Sequence, residues 1–175
     1  MRVVDHFRHS IRAQPGKHLT REGVELARRV GLALGDYDLV VTSKRPRAIE
    51  TAVAMGYASE RQIDGLFVAD LGVDWTQGCA AFAEAIRRSK TVAKAAEEQA
   101  DIIRSIIRTL PEHGKALVVS HGGVIELGAA GLLPGHDFTS WGPSCERCEG
   151  IRLYFDAEVC TSGVVLRVTD LVRPV

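Results

Sequence analysis

No run in this 175-residue chain approaches the ~18 consecutive apolar residues of a membrane-spanning helix. An excess of one charge is missing too. The 22 Lys plus Arg match 22 Asp plus Glu, which argues against a broad basic footprint for nucleic acid and against a charged disordered tail. The first apolar pair, Val3-Val4, stops at Asp5, short of the roughly 7–15 apolar residues of a secretory leader. Cysteine is sparse, at Cys79, Cys145, Cys148 and Cys160. These absences predict a cytoplasmic protein with reduced thiols and with neither a membrane nor a nucleic-acid partner. Repeats and low-complexity tracts are also lacking.

What is present is 46% hydrophobic residues and 25% charged ones, enough for a single domain spanning 1–175 with its own core. Short Val/Leu-rich runs predict strands at about 2–7, 38–42, 64–68, 116–120, 150–156 and 163–170. Runs such as Leu39-Val40-Val41 and Leu117-Val118-Val119 lack alternation, as in strands covered on both faces. Helices are expected between them. Thr20 is a candidate N-cap for a stripe of Val24, Ala27, Val30 and Leu34. A second helix should follow Ser43, read first as its N-cap, with Pro46 in the first turn. A third spans about 91–110 and stops at Pro111, and a fourth follows Gly122-Gly123. The alternation indicates an α/β three-layer sandwich with a mostly parallel central sheet. Residues 57–90 are the least regular stretch and are expected to form an active-site flank.

Three segments place a cation just beyond a strand: Arg8-His9-Ser10, Ser43-Lys44-Arg45-Pro46-Arg47, and His121-Gly122-Gly123. Ligands of parallel α/β sheets bind at the carboxyl ends of strands. A crevice holding Arg8, His9, Arg47 and His121 suits a phosphoryl group, whose oxygens match the guanidinium fork. The helix beginning at Gly122 adds backbone N–H donors. His6, on the strand itself, is expected to face the other way, in the core or behind the site.

These segments resemble the motifs of the histidine phosphatase superfamily, the phosphoglycerate mutase-like proteins. Arg8-His9-Ser10 resembles its Arg-His-Gly opening, and Leu19-Thr20-Arg21-Glu22-Gly23 its Leu-Thr-x-x-Gly segment. Ser43 to Ala52 fits Ser-x-x-x-Arg-Ala-x-x-Thr-Ala, and Val119-Ser120-His121-Gly122-Gly123 fits its late motif. In size and motifs the chain is nearest the small phosphohistidine phosphatase-type members. The resemblance implies the family's fold, a phosphohistidine intermediate on His9, and phosphoryl binding by Arg8, Arg47 and His121 with Gly122. It implies a phosphorylated small molecule or phosphoprotein as substrate. It calls for no metal or cofactor, because the arginines supply the charge.

The chain departs from the pattern at three places. Ser10 replaces the glycine after the nucleophile, which calls for an ordinary backbone conformation and offers a hydroxyl to phosphate. Ile11 and Pro15 stand where mutases carry Glu and Asn, with Arg12 and Gln14 nearby as substrate contacts. The family's Glu-x-x-x-Gly-x-x-x-Gly acid segment fits poorly: eight residues before Gly78 lies Asp70, the first candidate for the general acid, with Asp74 second. Phosphoglycerate mutase chemistry and a silent phosphate-binding protein are the alternative functions. Cys145-Glu146-Arg147-Cys148 is read as a loop with incidental thiols ahead of a disulfide or zinc, since no second ligand pair follows. Arg45 is read as a rim residue.

Overall fold

A computed structural model describes residues 1–172. Its elements are β1 (Arg2–Arg8), α1 (Arg21–Gly31), β2 (Leu39–Ser43), α2 (Pro46–Ala54), β3 (Arg61–Ile63), α3 (Ala80–Arg88), α4 (Lys90–Thr109), β4 (Lys115–Ser120), α5 (Val124–Leu132), β5 (Gly150–Asp156), β6 (Val159–Leu166) and α6 (Val168–Leu171). The sheet order is β3-β2-β4-β1-β5-β6. Pairing is parallel from β3 to β1 and antiparallel at β1/β5 and β5/β6, so only β5 runs against the other strands. This is the expected α/β sandwich. No helix among the described residues is long and apolar enough to cross a membrane.

Both faces of β4 are buried, as its unbroken apolar run requires. Leu117 and Val119 face the layer of α1, α2 and α6, while Ala116 and Val118 face α3, α4 and α5. The Thr20 hydroxyl accepts the Gly23 amide at 3.0 Å and starts α1 as expected. A Cβ on Gly23 would stand 2.1 Å from the Ile11 carbonyl oxygen. Glycine therefore lets α1 press directly on the loop that follows β1.

Three sequence expectations are corrected. The run 64–68 is not a strand. Leu66 is buried in the core and Phe67 packs on His121, so the run is apolar without pairing; the edge strand is the polar Arg61–Ile63 just before it. The last strand starts at Val159 rather than at 163. A two-residue turn with Ala157 at φ 50° joins it to β5, and no Gly or Asn marks that turn. Residues 57–90 are more regular than expected, because they include α3, whose only buried residue is Phe82.

In the middle of β1, the buried Asp5 carboxylate accepts from Arg152 Nε at 2.7 Å, Arg152 Nη2 at 2.8 Å and the Tyr37 hydroxyl at 2.7 Å, with Lys115 Nζ at 3.2 Å. Burial pushes this carboxyl up, but the Arg152 and Tyr37 hydrogen bonds and the Lys115 charge hold it below the usual carboxylate range. Asp5→Ala strips the counter-ion from two part-buried cations. It is expected to cost about 3 kcal/mol, the lower end for a broken buried pair because both cations reach water. Urea unfolding at pH 7 measures this, and a loss below about 1 kcal/mol contradicts it.

Candidate active site

The parallel pairing of β1 with β4 sets Arg8 opposite Ser120. The His9 amide continues the ladder to the Ser120 carbonyl at 2.9 Å. His9 and His121 thus leave neighbouring strand ends together, and their rings meet edge-on with centroids 5.2 Å apart. β2 ends at Ser43, and Arg47 lies in the first turn of α2 behind Pro46. His6 faces away from the cleft and binds the Ser120 hydroxyl at 2.6 Å, buried behind the site as expected.

The tautomer of His9 is fixed by its partners. Nδ1 lies 2.7 Å from the Ser10 carbonyl oxygen, which only accepts, so Nδ1 carries the proton. Nε2 receives N–H donors from Arg47 Nε at 3.1 Å and Arg147 Nη1 at 3.2 Å. Guanidinium only donates, so Nε2 presents a lone pair. Burial, then the charges of Arg147, Arg47 and Arg8, lower the His9 pKa to about 3. The imidazole is neutral across the physiological range, with its unprotonated nitrogen facing cations.

His121 Nε2 meets the Ser43 hydroxyl at 2.8 Å. Ser43 therefore serves the site, and Arg45 takes the N-cap position of α2. Burial and the charge of Arg47 push the His121 pKa down to about 2. Arg8 Nη1 donates to the Cys145 carbonyl at 2.7 Å, and its guanidinium lies 5.6 Å from the Trp75 ring centroid. Gly122 and Gly123 make this packing possible. A Cβ on Gly122 would fall 2.7 Å from Trp75 and 2.8 Å from Arg8 Nε, and Gly123 has φ +81° with Trp75 carbons 2.6 Å from its would-be Cβ. The buried Glu126 accepts from the Gly123 amide at 2.8 Å and the Cys145 amide at 2.7 Å, tying the start of α5 to the 145–148 segment.

Two guanidiniums therefore meet the His9 Nε2 lone pair, with the His121 ring edge-on to the same imidazole and the Arg8 charge nearby. No protein-family model and no curated protein matches this sequence. Solved structures do. The phosphoserine phosphatase of Entamoeba histolytica, solved with 3-phosphoglyceric acid, superposes with a TM-score of 0.69 at 20% identity, covering 94% of this chain and 97% of that one. The mycobacterial glucosyl-3-phosphoglycerate phosphatase complexed with VO3 gives 0.65 at 22% identity, over 88% of this chain and 93% of that one. The chain has the histidine phosphatase fold.

On this histidine phosphatase fold, the residues singled out by sequence fall into two groups. Arg8, His9, Arg47, His121 and Gly122 share the strand-end cleft. Ser10 does not serve it: its side chain is fully buried, and its hydroxyl donates to the Gly23 carbonyl at 2.6 Å. It is not among the positive-φ residues, so it needs no glycine. Its bond secures the same close approach of α1 that Gly23 permits. Asp70 is exposed, accepts the Gly72 amide at 2.9 Å, and lines a cavity of about 290 Å³ with Gly122, Gly123, Trp75, Val68 and Leu71. Asp74 caps the short turn at Trp75–Gln77 through Thr76, whose hydrogen bonds lower its pKa. An acid held ionised in that way is a poor proton donor.

The four cysteines are free. Burial, together with the Glu126 charge, pushes the Cys145 thiol up, and burial raises Cys148 to about 12. Neither is a thiolate near neutrality. Of the two residues between Cys145 and Cys148, Arg147 reaches His9 Nε2, a contact the sequence analysis did not anticipate.

Proposed function

We propose that the protein is a phosphatase that moves a phosphoryl group from a phosphate monoester to His9 Nε2 and then to water. The carrying observation is the Nε2 lone pair facing two guanidinium donors, with the ring tautomer held by the Ser10 carbonyl. Nε2 attacks phosphorus and forms a P–N bond as the ester P–O bond breaks. The electron pair leaves on the ester oxygen. Arg8, Arg47 and His121 stabilise the charge on the transferring oxygens, a contribution made by preorganised dipoles and cations. Because the arginines supply this charge, the reaction needs no metal. Water then attacks the phosphohistidine, and the P–N electrons return to Nε2. The solved proteins of the same fold are named for phosphatase action on phosphoserine and glucosyl-3-phosphoglycerate, which supports a phosphorylated small molecule as substrate.

The test is hydrolysis of p-nitrophenyl phosphate in excess EDTA, with trapping of the enzyme after a radiolabelled phosphate ester. EDTA-resistant turnover and an acid-labile, alkali-stable label on His9 are expected. Turnover abolished by EDTA, with no label, overturns the reading.

Asp70 is assigned the proton delivered to the leaving oxygen. It is the carboxylate that shares a cavity with the Gly122-Gly123 turn. Asp70→Asn is expected to lower kcat for glycerol 3-phosphate about 100-fold, the scale of lost general acid catalysis. The loss on p-nitrophenyl phosphate should be much smaller, because p-nitrophenolate leaves unprotonated. Equal losses on both esters contradict the assignment.

A further inference from the structure

Glu126 touches neither histidine, yet it is a buried acid beside the cleft. It is 2% exposed, in the first turn of α5. Backbone engages both of its oxygens: Oε2 accepts the Gly123 amide at 2.8 Å, and Oε1 accepts the Cys145 amide at 2.7 Å. A glutamate three residues into a helix commonly caps the helix start, and a glutamine does so as well. Capping occupies one oxygen. It accounts neither for a carboxylate removed from water nor for the second bond, which reaches 19 residues along the chain.

That second bond ends on the support of Arg8. The Cys145 carbonyl accepts Arg8 Nη1 at 2.7 Å. Among the described residues this carbonyl is the one hydrogen-bond partner of the Arg8 side chain, whose Nε is buried and unpaired. The Arg8 ion pair with the exposed Glu146 carboxylate is long, at 4.0 Å, and such pairs hold a side chain weakly. The aim of the guanidinium therefore depends on where Cys145 sits. Cys145 belongs to neither helix nor strand. Glu126 ties its amide to α5, a helix buried along nearly its whole length. Each carboxylate oxygen can accept one of the two amides. A glutamine in the same place offers one oxygen and turns N–H donors toward the other amide. Burial pushes the Glu126 carboxyl up, opposed by backbone amides, those of Cys145 and Gly123 among them, and by the charge of Arg8.

We infer that Glu126 is a positioning residue that aims Arg8 at the phosphoryl group through the Cys145 backbone. This rests on the phosphatase reading for what Arg8 holds, and anion binding tests it independently of turnover. Glu126→Gln keeps the volume of the side chain and releases one amide. The probe is orthovanadate, titrated calorimetrically into four versions of the whole chain: unmodified, Glu126→Gln, Arg8→Ala and the double variant. Values of kcat/KM for p-nitrophenyl phosphate are measured on the same four, and thermal midpoints establish that each is folded.

With Arg8 present, Glu126→Gln is expected to weaken vanadate binding about tenfold, the scale of one charge-assisted hydrogen bond. The loss in kcat/KM should be at least as large, because misaimed groups cost most in the transition state. In the Arg8→Ala background, where Arg47 and Arg147 still hold the anion, the same substitution should change the vanadate Kd less than about twofold. Such non-additivity marks one residue acting through another. A carboxylate that only stabilises the fold gives equal losses in both backgrounds, and that result overturns the inference. A vanadate Kd that stays within about twofold when Glu126 alone is changed overturns it too. If Glu126→Gln does not fold, Glu126→Asp replaces it in the cycle. The shorter acid keeps the charge but is one methylene short of spanning both amides, and the same outcomes decide. Coupling on vanadate without turnover of any ester sinks the phosphatase reading and leaves the positioning role standing. An unmodified protein that binds no vanadate overturns both.

Discussion

Replacing His9 with alanine is expected to lower kcat/KM for p-nitrophenyl phosphate by about 10⁴-fold or more, the scale seen when a covalent nucleophile is deleted. The expectation follows from the geometry at Nε2. In this cleft no other side chain presents a lone pair to Arg47 and Arg147 together. His121 spends its Nε2 on the Ser43 hydroxyl, and the nearby thiols are protonated. Loss of His9 therefore removes the covalent route rather than rerouting it. Anion binding should survive, since Arg8, Arg47 and Arg147 remain. Steady-state turnover and vanadate binding measured on the same preparation separate these effects. Residual turnover within about tenfold of the unmodified enzyme contradicts the nucleophile assignment.

The second large effect is on stability in acid. His6 and His9 have pKa values lowered to about 3 and His121 to about 2, each chiefly by burial. In the unfolded chain all three titrate near 6.5. Between those limits the unfolded chain binds protons that the native protein refuses. Stability therefore rises with pH through this window and is lost as pH falls through it. Three such groups give a slope of about 4 kcal/mol per pH unit between about pH 6 and pH 4. Few domains have stability to spare on that scale. Urea midpoints taken from pH 7.5 down to pH 5 should fall steeply, and His9→Ala should flatten the slope by about a third. A midpoint unchanged from pH 7 to pH 5 contradicts the neutral histidine cluster.

The sheet and most of the cleft were legible because their signals are local. Buried parallel strands read as Val/Leu runs, and Arg8, His9, Arg47 and His121 each sit within a few residues after such a run. Arg147 escaped for a topological reason. Residues following parallel strands share one edge of the sheet, but so do residues preceding an antiparallel strand. β5 runs antiparallel with Gly150 opposite Phe7, which delivers Arg147 to the carboxyl end of β1. No local pattern distinguishes a strand that will reverse. The start of β6 was missed because its polar Thr161-Ser162-Gly163 stretch lies on an exposed sheet edge, with no apolar run to mark it. The misplaced strand at 64–68 is the converse, apolar residues that serve packing against His121 and the core without pairing. The role of Ser10 was hidden in another way. Its hydroxyl faces Gly23, thirteen residues on, and nothing in the motif says whether a hydroxyl there turns toward ligand or toward backbone.

The strand order has a consequence for the chain as it is made. β1 is synthesised first, yet its neighbours are β4, which begins at Lys115, and β5, which begins at Gly150. At about 5–20 residues per second, a ribosome adds the intervening hundred or so residues in on the order of ten seconds. For that interval Val3, Val4 and Phe7 have no strand to pair with, while β2, β3 and their helices are already emerging. The strand that positions His9 is therefore completed only when the last third of this sequence has been made.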